Sequence, residues 1–431
     1  MIDQTRPGPA APPAVLPPRL VRRVLPVAVV LAWLGPFSLD TYSPAFPAIQ
    51  REFGASTGAV QATLATTLIG LALGQLLVGP ISDRLGRRRP LLVGLAGYAV
   101  ASVLCAVAWS IELLIAARLV QGFAAATGIA MARAIARDVH AGAQLARFYS
   151  LLAAATAVAP MLAPLLGAAL LEAGLSWRWI FGVTLALGLL GLGLVALALP
   201  ETHPRWVGGT TAARGSAPRR AGTSLWGLLR RRQILVSALV LGLSGAAMIA
   251  QLAGMSFYLQ VERGFSPAGY SAVFALNAAG MIISNNVNRL LMRRFTPNGV
   301  LSVALPVMVA SSVAFAVALQ VGAPLVVALC ALFVLVGCWG FVMPNAVAVG
   351  MSVERTAAGR AAAILGTAQF GFGAASAPLV GAVPVVAGVP PVAAVVVVCL
   401  AGALLAQLLG RVRAAAVAPE PAEGAACRAA S

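Results

Sequence analysis

Gly74-Gln-Leu-Leu-Val-Gly-Pro-Ile-Ser-Asp-Arg-Leu-Gly-Arg-Arg-Arg-Pro-Leu-Leu-Val93 joins two apolar runs, each long enough to cross a membrane. The joint is short and charged. Gly79, Asp83, Arg84, Gly86, Arg87 and Arg88 stand in the order G-x-x-x-D-R-x-G-R-R. Asp83 lies where an apolar helix meets a polar medium. A carboxylate is costly there unless it pairs with a cation or caps a neighbouring helix N-terminus. Arginines beside it anchor such a turn on the cytoplasmic side of a bilayer.

The rest of the chain has the same character. Its 431 residues are 60% hydrophobic and only 10% charged, with a mean hydropathy of +0.92. Soluble chains carry about 25% charged residues, so composition alone makes this a polytopic membrane protein. The apolar runs are long and lack sustained alternation, which selects helices over a membrane β-barrel. The net charge of +18 does not imply a nucleic-acid partner. The basic residues, all arginine, fall at span ends and not in one contiguous stripe. The five cysteines, Cys105, Cys330, Cys338, Cys399 and Cys427, have no C-x-x-C spacing, and His140 and His203 fall in loops. No metal site or cofactor is expected from this set. Without lysine no nucleotide-binding loop of the G-x-x-x-x-G-K-[ST] type exists, and no nucleophile triad is present, so the chain reads as no enzyme.

Twelve spans are expected, near 24–46, 59–81, 90–109, 112–134, 147–171, 178–199, 234–260, 269–290, 299–320, 324–347, 358–382 and 389–410. Each approaches the roughly 20 residues that a helical crossing needs. Residues 1–20 are Pro- and Ala-rich and are expected to form a disordered cytoplasmic tail that is not a cleaved signal. Residues 21–200 form an N-terminal six-helix half. Residues 201–232, polar and rich in Gly, Thr and Arg, read as a cytoplasmic linker. Residues 233–410 form the second half, and 411–431 a second cytoplasmic tail. Internal echoes support the duplication. Ala163-Pro-Leu-Leu-Gly-Ala168 returns as Ala377-Pro-Leu-Val-Gly-Ala382, and Asp83-Arg-Leu85 returns as Asn288-Arg-Leu290. In the second copy the acid has become an amide.

Asp40 is the acid well inside the first span, in Pro36-Phe-Ser-Leu-Asp-Thr-Tyr-Ser-Pro44. A carboxylate in hydrocarbon costs at least ~2.5–3.5 kcal/mol, so it should face a cavity or a cation. Two readings stand side by side: a proton-coupling acid, or a helix-end acid wetted from outside because Pro44 and Pro47 follow. Arg118 lies in the fourth span at a similar depth, ~9 Å beyond Glu112 at 1.5 Å per residue, so the two are expected to approach each other. Gln121 and Gly122 share its helical face. Asn277 and Gln369 are amides inside apolar spans, and Tyr42, Gln121 and Phe257 are further candidates for a substrate cavity. Asn345 is a weaker one.

Gly74–Val93 resembles the signature loop between helices two and three of the major facilitator superfamily. Arg118-x-x-Gln121-Gly122 is similar to that superfamily's fourth-helix motif, linked there to proton transfer. Ala159–Ala168 resembles its antiporter motif: Pro164 and Gly167 match, Pro160 lies in the same stretch, and alanines replace three glycines. Pro36–Pro47, Gly70–Arg88, Ala132–Asp138, Trp177–Phe181, Leu199–Thr202 and Phe274–Asn277 narrow the resemblance to one branch, the bicyclomycin/chloramphenicol-resistance (Bcr/CflA) drug exporters. The resemblance spans about residues 20–410. It implies an all-α major facilitator fold of twelve transmembrane helices. It also implies proton-driven export of small drugs across a bacterial inner membrane, with both termini cytoplasmic. Lipid is the surrounding partner, no nucleic acid is bound, and the working unit is a monomer. Arg133, Arg137 and Asp138 join the Asp83 loop as a conformational switch. The alternative is export of an endogenous metabolite or self-made antibiotic.

The arginine distribution gives a direct test of topology. Only Arg51, Arg178 and Arg263 fall in loops placed outside. Reporter fusions at these three positions are expected to read periplasmic, and a cytoplasmic reading at two of them overturns the orientation.

Overall fold

The computed structural model describes residues 18–140, 142–202, 227, 230–352, 358–382 and 389–417. The expected N-terminal tail up to 17, most of the linker and the C-terminal tail from 418 lie outside the described residues. Among the described residues, eleven helices are long and apolar enough to cross a membrane. In chain order they are the first span, Val24–Phe53, then Thr57–Leu85, Arg88–Ala106, Ile111–Val139, Arg147–Glu172, Arg178–Ala198, Arg232–Glu262, Pro267–Leu291, Pro297–Gln320 and Leu325–Met351, and last Pro391–Gly410. The helix Ala358–Ala382, of 25 residues, takes the eleventh place and makes Pro391–Gly410 the twelfth. The fold is that of an all-α membrane protein.

Local chemistry explains the span ends. Ser56, Ser110, Ser266 and Thr296 each precede a span, and each accepts a hydrogen bond from the backbone N–H three residues on. Such caps satisfy donors that the helix cannot. The first span departs from a simple helix. Helix Pro18–Asp40 stops at Asp40, and a 3₁₀ turn, Ser43–Ala45, leads to a short helix, Phe46–Phe53. Pro44 opens the 3₁₀ turn and Pro47 opens the short helix. Neither proline can donate the N–H that an unbroken helix would need there.

Two large hydrophobic cores form, the first reaching across to Leu252, Ala253 and Phe257 of the second half. One centres on residues such as Leu31, Leu64, Tyr98 and Ile180, the other on Leu241, Leu305, Leu335 and Trp339. Outward-facing side chains such as Val93, Val100 and Val398 remain exposed, which suits a lipid surface. Hydrogen bonds between the halves gather on the face opposite the arginine-rich loops. Ser256 Oγ donates to the Ser43 carbonyl at 2.6 Å, and Tyr270 and Ser43 share a hydroxyl bond at 3.2 Å. Ser271 Oγ donates to the Pro164 carbonyl at 3.0 Å, and Gln61 Nε2 donates to the Ala253 carbonyl at 3.4 Å. The molecule is therefore shut on that face. Between the halves, toward the arginine-rich face, a cavity of about 670 Å³ reaches Arg133 and Tyr149.

Spans two and four pack backbone to backbone. A methyl group on Gly122 would sit 2.1 Å from the Thr67 carbonyl oxygen. Gly122→Ala is therefore expected to destabilise the protein by ~1–3 kcal/mol, as overpacking does. The measurement is the melting temperature in detergent. Gly193→Ala, at a glycine with nothing within 4 Å, should leave that temperature unchanged.

Candidate functional site

Arg118 is fully buried in the N-terminal half. Its Nη2 donates to the Ser38 carbonyl at 2.5 Å and its Nη1 to Gln121 Oε1 at 2.5 Å. The guanidinium lies 4.0 Å from the Tyr42 ring centre and 5.6 Å from that of Phe181. Gln121 is held in turn by Ser102 at 2.8 Å and Thr184 at 3.2 Å. Ser38 Oγ meets Tyr98 at 2.8 Å, and Tyr42 meets Thr63 at 3.0 Å. The cation thus sits against the carbonyl end of the broken first helix, where the helix dipole is negative, between aromatic faces that also favour it.

This corrects the expected meeting of Arg118 with Asp40. Among the described residues no ion pair joins them. The two side chains point to different places. Arg118 is drawn into the N-terminal core, while Asp40, 8% exposed, lines the cavity between the halves. Asp40 is a helix-end residue, as Pro44 and Pro47 imply, yet the closed face seals that end from outside water. Tyr42 and Gln121 are corrected with Arg118: both belong to its buried network and not to the cavity wall. Phe257 packs against Phe46 at 6.0 Å near the closed face and also lies off the wall.

The wall does include Asn277 and Gln369, along with Pro160 and Arg133. It adds residues that sequence reasoning passed over: Gln75, Gln251, Tyr149, Phe274, Trp339 and Phe370. Amides inside apolar spans were the available signal for Gln75 and Gln251. No pattern marked the aromatics, which serve equally as core. Asn277 is buried, and its Nδ2 has no acceptor. A buried donor left unmade costs ~1–3 kcal/mol. The antiporter-like stretch packs onto the first-span break. A methyl group on Gly167 would lie 1.9 Å from the Thr41 carbonyl oxygen, next along the chain from Asp40. Pro164 gives its carbonyl to Ser271 of the other half.

The signature loop forms a network inside its own half. Buried Arg87 donates from Nη1 to Asp83 Oδ1 and Ser82 Oγ, both at 2.7 Å, and from Nε to Asp138 Oδ2 at 2.8 Å. Burial works against the Arg87 cation; its bonds to Asp138 and Asp83 outweigh that and hold its pKa above the ordinary arginine value. Glu201 accepts from the backbone N–H of Arg87 at 2.8 Å and of Arg88 at 3.1 Å, which caps the third span. Gly86, at φ 84°, turns the chain beside that carboxylate. Glu201 lies far from the loop in sequence, so no local pattern marks its capping role. Arg84 and Arg137, next in sequence to Asp83 and Asp138, are exposed, and the Gly79 carbonyl accepts from Ser82 Oγ at 2.8 Å. In the second copy Asn345 Nδ2 donates to Asn288 Oδ1 at 2.7 Å, both buried. Asn345 is therefore spent on a helix-to-helix bond and lies off the cavity.

Comparisons with known proteins agree with this architecture. The family model described as Major Facilitator Superfamily matches residues 28–378. The chain is 36% identical over 357 residues to an uncharacterized MFS-type transporter, YdgK, of Bacillus subtilis, covering 82% of this chain and 87% of that one. It is 30% identical over 305 residues to a chloramphenicol resistance protein of Pseudomonas aeruginosa, covering 68% of each. A crystal structure of a D-xylose–proton symporter superposes with a TM-score of 0.72 at 17% identity, covering 91% of this chain and 97% of that one.

The loop geometry yields an expectation. Asp83, its side chain 65% exposed, is bound among the described residues by Arg87 of its own half while the arginine-rich face is open. Closure of that face is where its charge should meet a helix N-terminus of the other half. Asp83→Asn is expected to slow turnover roughly two- to thirtyfold, the range that ~0.5–2 kcal/mol at a helix end provides. Substrate affinity in the open state should stay within about twofold of wild type. A large affinity loss with normal turnover contradicts this role.

Proposed function

The chain belongs to the major facilitator superfamily, and we propose that it exports small drugs or antibiotics across a bacterial inner membrane in exchange for protons. It is a membrane transporter and not an enzyme. The observation that carries the export reading is Asp40. Its carboxylate lines a cavity shared by both halves, and among the described residues no side-chain hydrogen bond or ion pair is found on it. A titratable group so placed is reached from whichever face is open. The resistance proteins among its relatives support a drug as cargo.

The cycle follows from the two faces. The arginine-rich face is the cytoplasmic one by the positive-inside rule, so both termini are cytoplasmic and the structure is open inward. Substrate enters from the cytoplasm as Asp40 gives up its proton there. The bonds at Ser43, Tyr270, Ser271 and Gln61 then break, the Asp83 network engages across the halves, and the cavity opens outward. Asp40 reloads with a proton from outside as substrate leaves. Each proton moving inward yields about 2.3 kcal/mol per 100 mV of membrane potential, enough for a roughly fiftyfold concentration of an uncharged substrate. No cofactor is required, because the gradient supplies the work. One chain supplies both walls of the cavity, which supports a functional monomer. Arg118 acts on Asp40 through the backbone: it holds the Ser38 carbonyl, two residues before the acid, and so fixes where the helix ends.

A susceptibility panel in a pump-deficient host identifies a drug that the wild-type protein resists. With that drug, Asp40→Asn is expected to abolish protection and proton-driven uptake into everted vesicles, at unchanged protein abundance in the membrane. Removing the charge eases insertion. If the variant still concentrates the drug and still releases protons on binding it, the coupling acid lies elsewhere.

A further inference from the structure

The ions of the cavity wall, Asp40 and Arg133, come from the N-terminal half, together with the amide of Gln75. The C-terminal half contributes amides, Gln251, Asn277 and Gln369, and an apolar surface that includes Phe274, Met281 and Trp339. Trp339 Nε1 already donates to the Ser244 carbonyl at 3.1 Å, so the indole offers the cavity only carbon. Asn277 is the opposite case. It is 4% exposed, and its Nδ2 is buried with no acceptor. Among the described residues, it is the one side chain of the cavity wall left with a buried polar atom unpaired. An asparagine inside a helix is also a poor helix former and a poor packer, so helix stability does not account for it.

We propose that Asn277 reads the substrate. Half a turn about the Cβ–Cγ bond, a soft torsion for asparagine, brings the buried Nδ2 to the cavity, where it donates to an uncharged oxygen acceptor, such as an amide, ester, sulfonyl or nitro oxygen, on a molecule whose apolar body rests on Phe274, Met281 and Trp339. The charges set the rest of the class. One carboxylate and one guanidinium face the same space, so a dication gains at one and is repelled at the other. The substrate is neutral or singly charged. The cavity volume of about 670 Å³ falls within the 300–1,000 Å³ usual for drug-sized ligands. An oxygen-free hydrocarbon would fill the same space and leave the Asn277 donor unmade. This inference rests on the export reading for the purpose of the cavity, but its test needs no gradient.

The test is binding to the purified full-length protein in detergent, read by energy transfer from protein tryptophan. Two uncharged probes are used: Nile red, which carries a ring carbonyl, and N-phenyl-1-naphthylamine, which carries no oxygen. Asn277→Leu is expected to weaken Nile red roughly tenfold and to leave the second probe within about twofold. Asn277→Asp, read at a pH high enough to ionise the new carboxyl so that it offers acceptors in place of the donor, should weaken Nile red as well. Equal loss of both probes would mean a packing role and overturns the proposal. So does unchanged Nile red binding in Asn277→Leu, tighter Nile red binding in Asn277→Asp, or a wild-type protein that binds neither probe. A split between the probes in a protein that fails to export would uphold Asn277 and defeat the export reading. Export without the split would do the reverse.

Discussion

The bond from Arg118 to the Ser38 carbonyl organises the N-terminal half. A guanidinium buried at membrane depth is expensive, and no carboxylate balances it here. What balances it is a helix end, two aromatic rings and an amide, supplied by spans one, four and six. The first span must break to offer that helix end, and the prolines at 44 and 47 make it break. The break in turn frees the Asp40 side chain to face the cavity. The same break carries Ser43, which ties the two halves together at the closed face. One stretch of backbone therefore serves the buried cation, the cavity acid and the closure.

Closure and opening are built from different materials. The closed face is held by hydroxyls and amides reaching backbone carbonyls, joined by the contact of Phe46 with Phe257. Each such bond contributes only ~0.5–1.5 kcal/mol net. A modest set can be exchanged for another without a large barrier. The open face has its ionic network folded back into one half, with Arg87 holding Asp83 and Asp138. This division suits a protein that must visit both states.

The fold was legible because bilayer thickness fixes the length of an apolar run. The two spans between the Asp83 loop and the His140 turn, expected near 90–109 and 112–134, form Arg88–Ala106 and Ile111–Val139, whereas the break after Asp40 falls inside a stretch that reads as one span, 24–46. What failed was azimuth. Counting residues from a span end, as from Glu112, speaks only to depth along a helix. Only packing decides which way each side chain turns. Aromatic neighbours and the Ser38 carbonyl claim Arg118, and Tyr42 and Gln121 go with it. Asn277 and Gln369 were found because amides inside apolar runs stand out. Gln251 and Gln75 carried the same signal and were passed over. Trp339 and Phe370 could not be told from core residues by composition. Glu201 sits beyond the end of its span, where its two bonds to the loop at Arg87 depend wholly on tertiary approach.

The pairing of Asn345 with Asn288 stands where the other half has Asp138, Arg87 and Asp83. Dissolved ions screen exposed charges, such as the Asp83 carboxylate with its side chain 65% exposed, and reach a buried pair far less. A buried amide bonded to an amide carries no net charge to screen. The duplicated halves thus answer the salt of the cell interior unequally: one clasp has an edge that ionic strength can touch, while its twin is deaf to it.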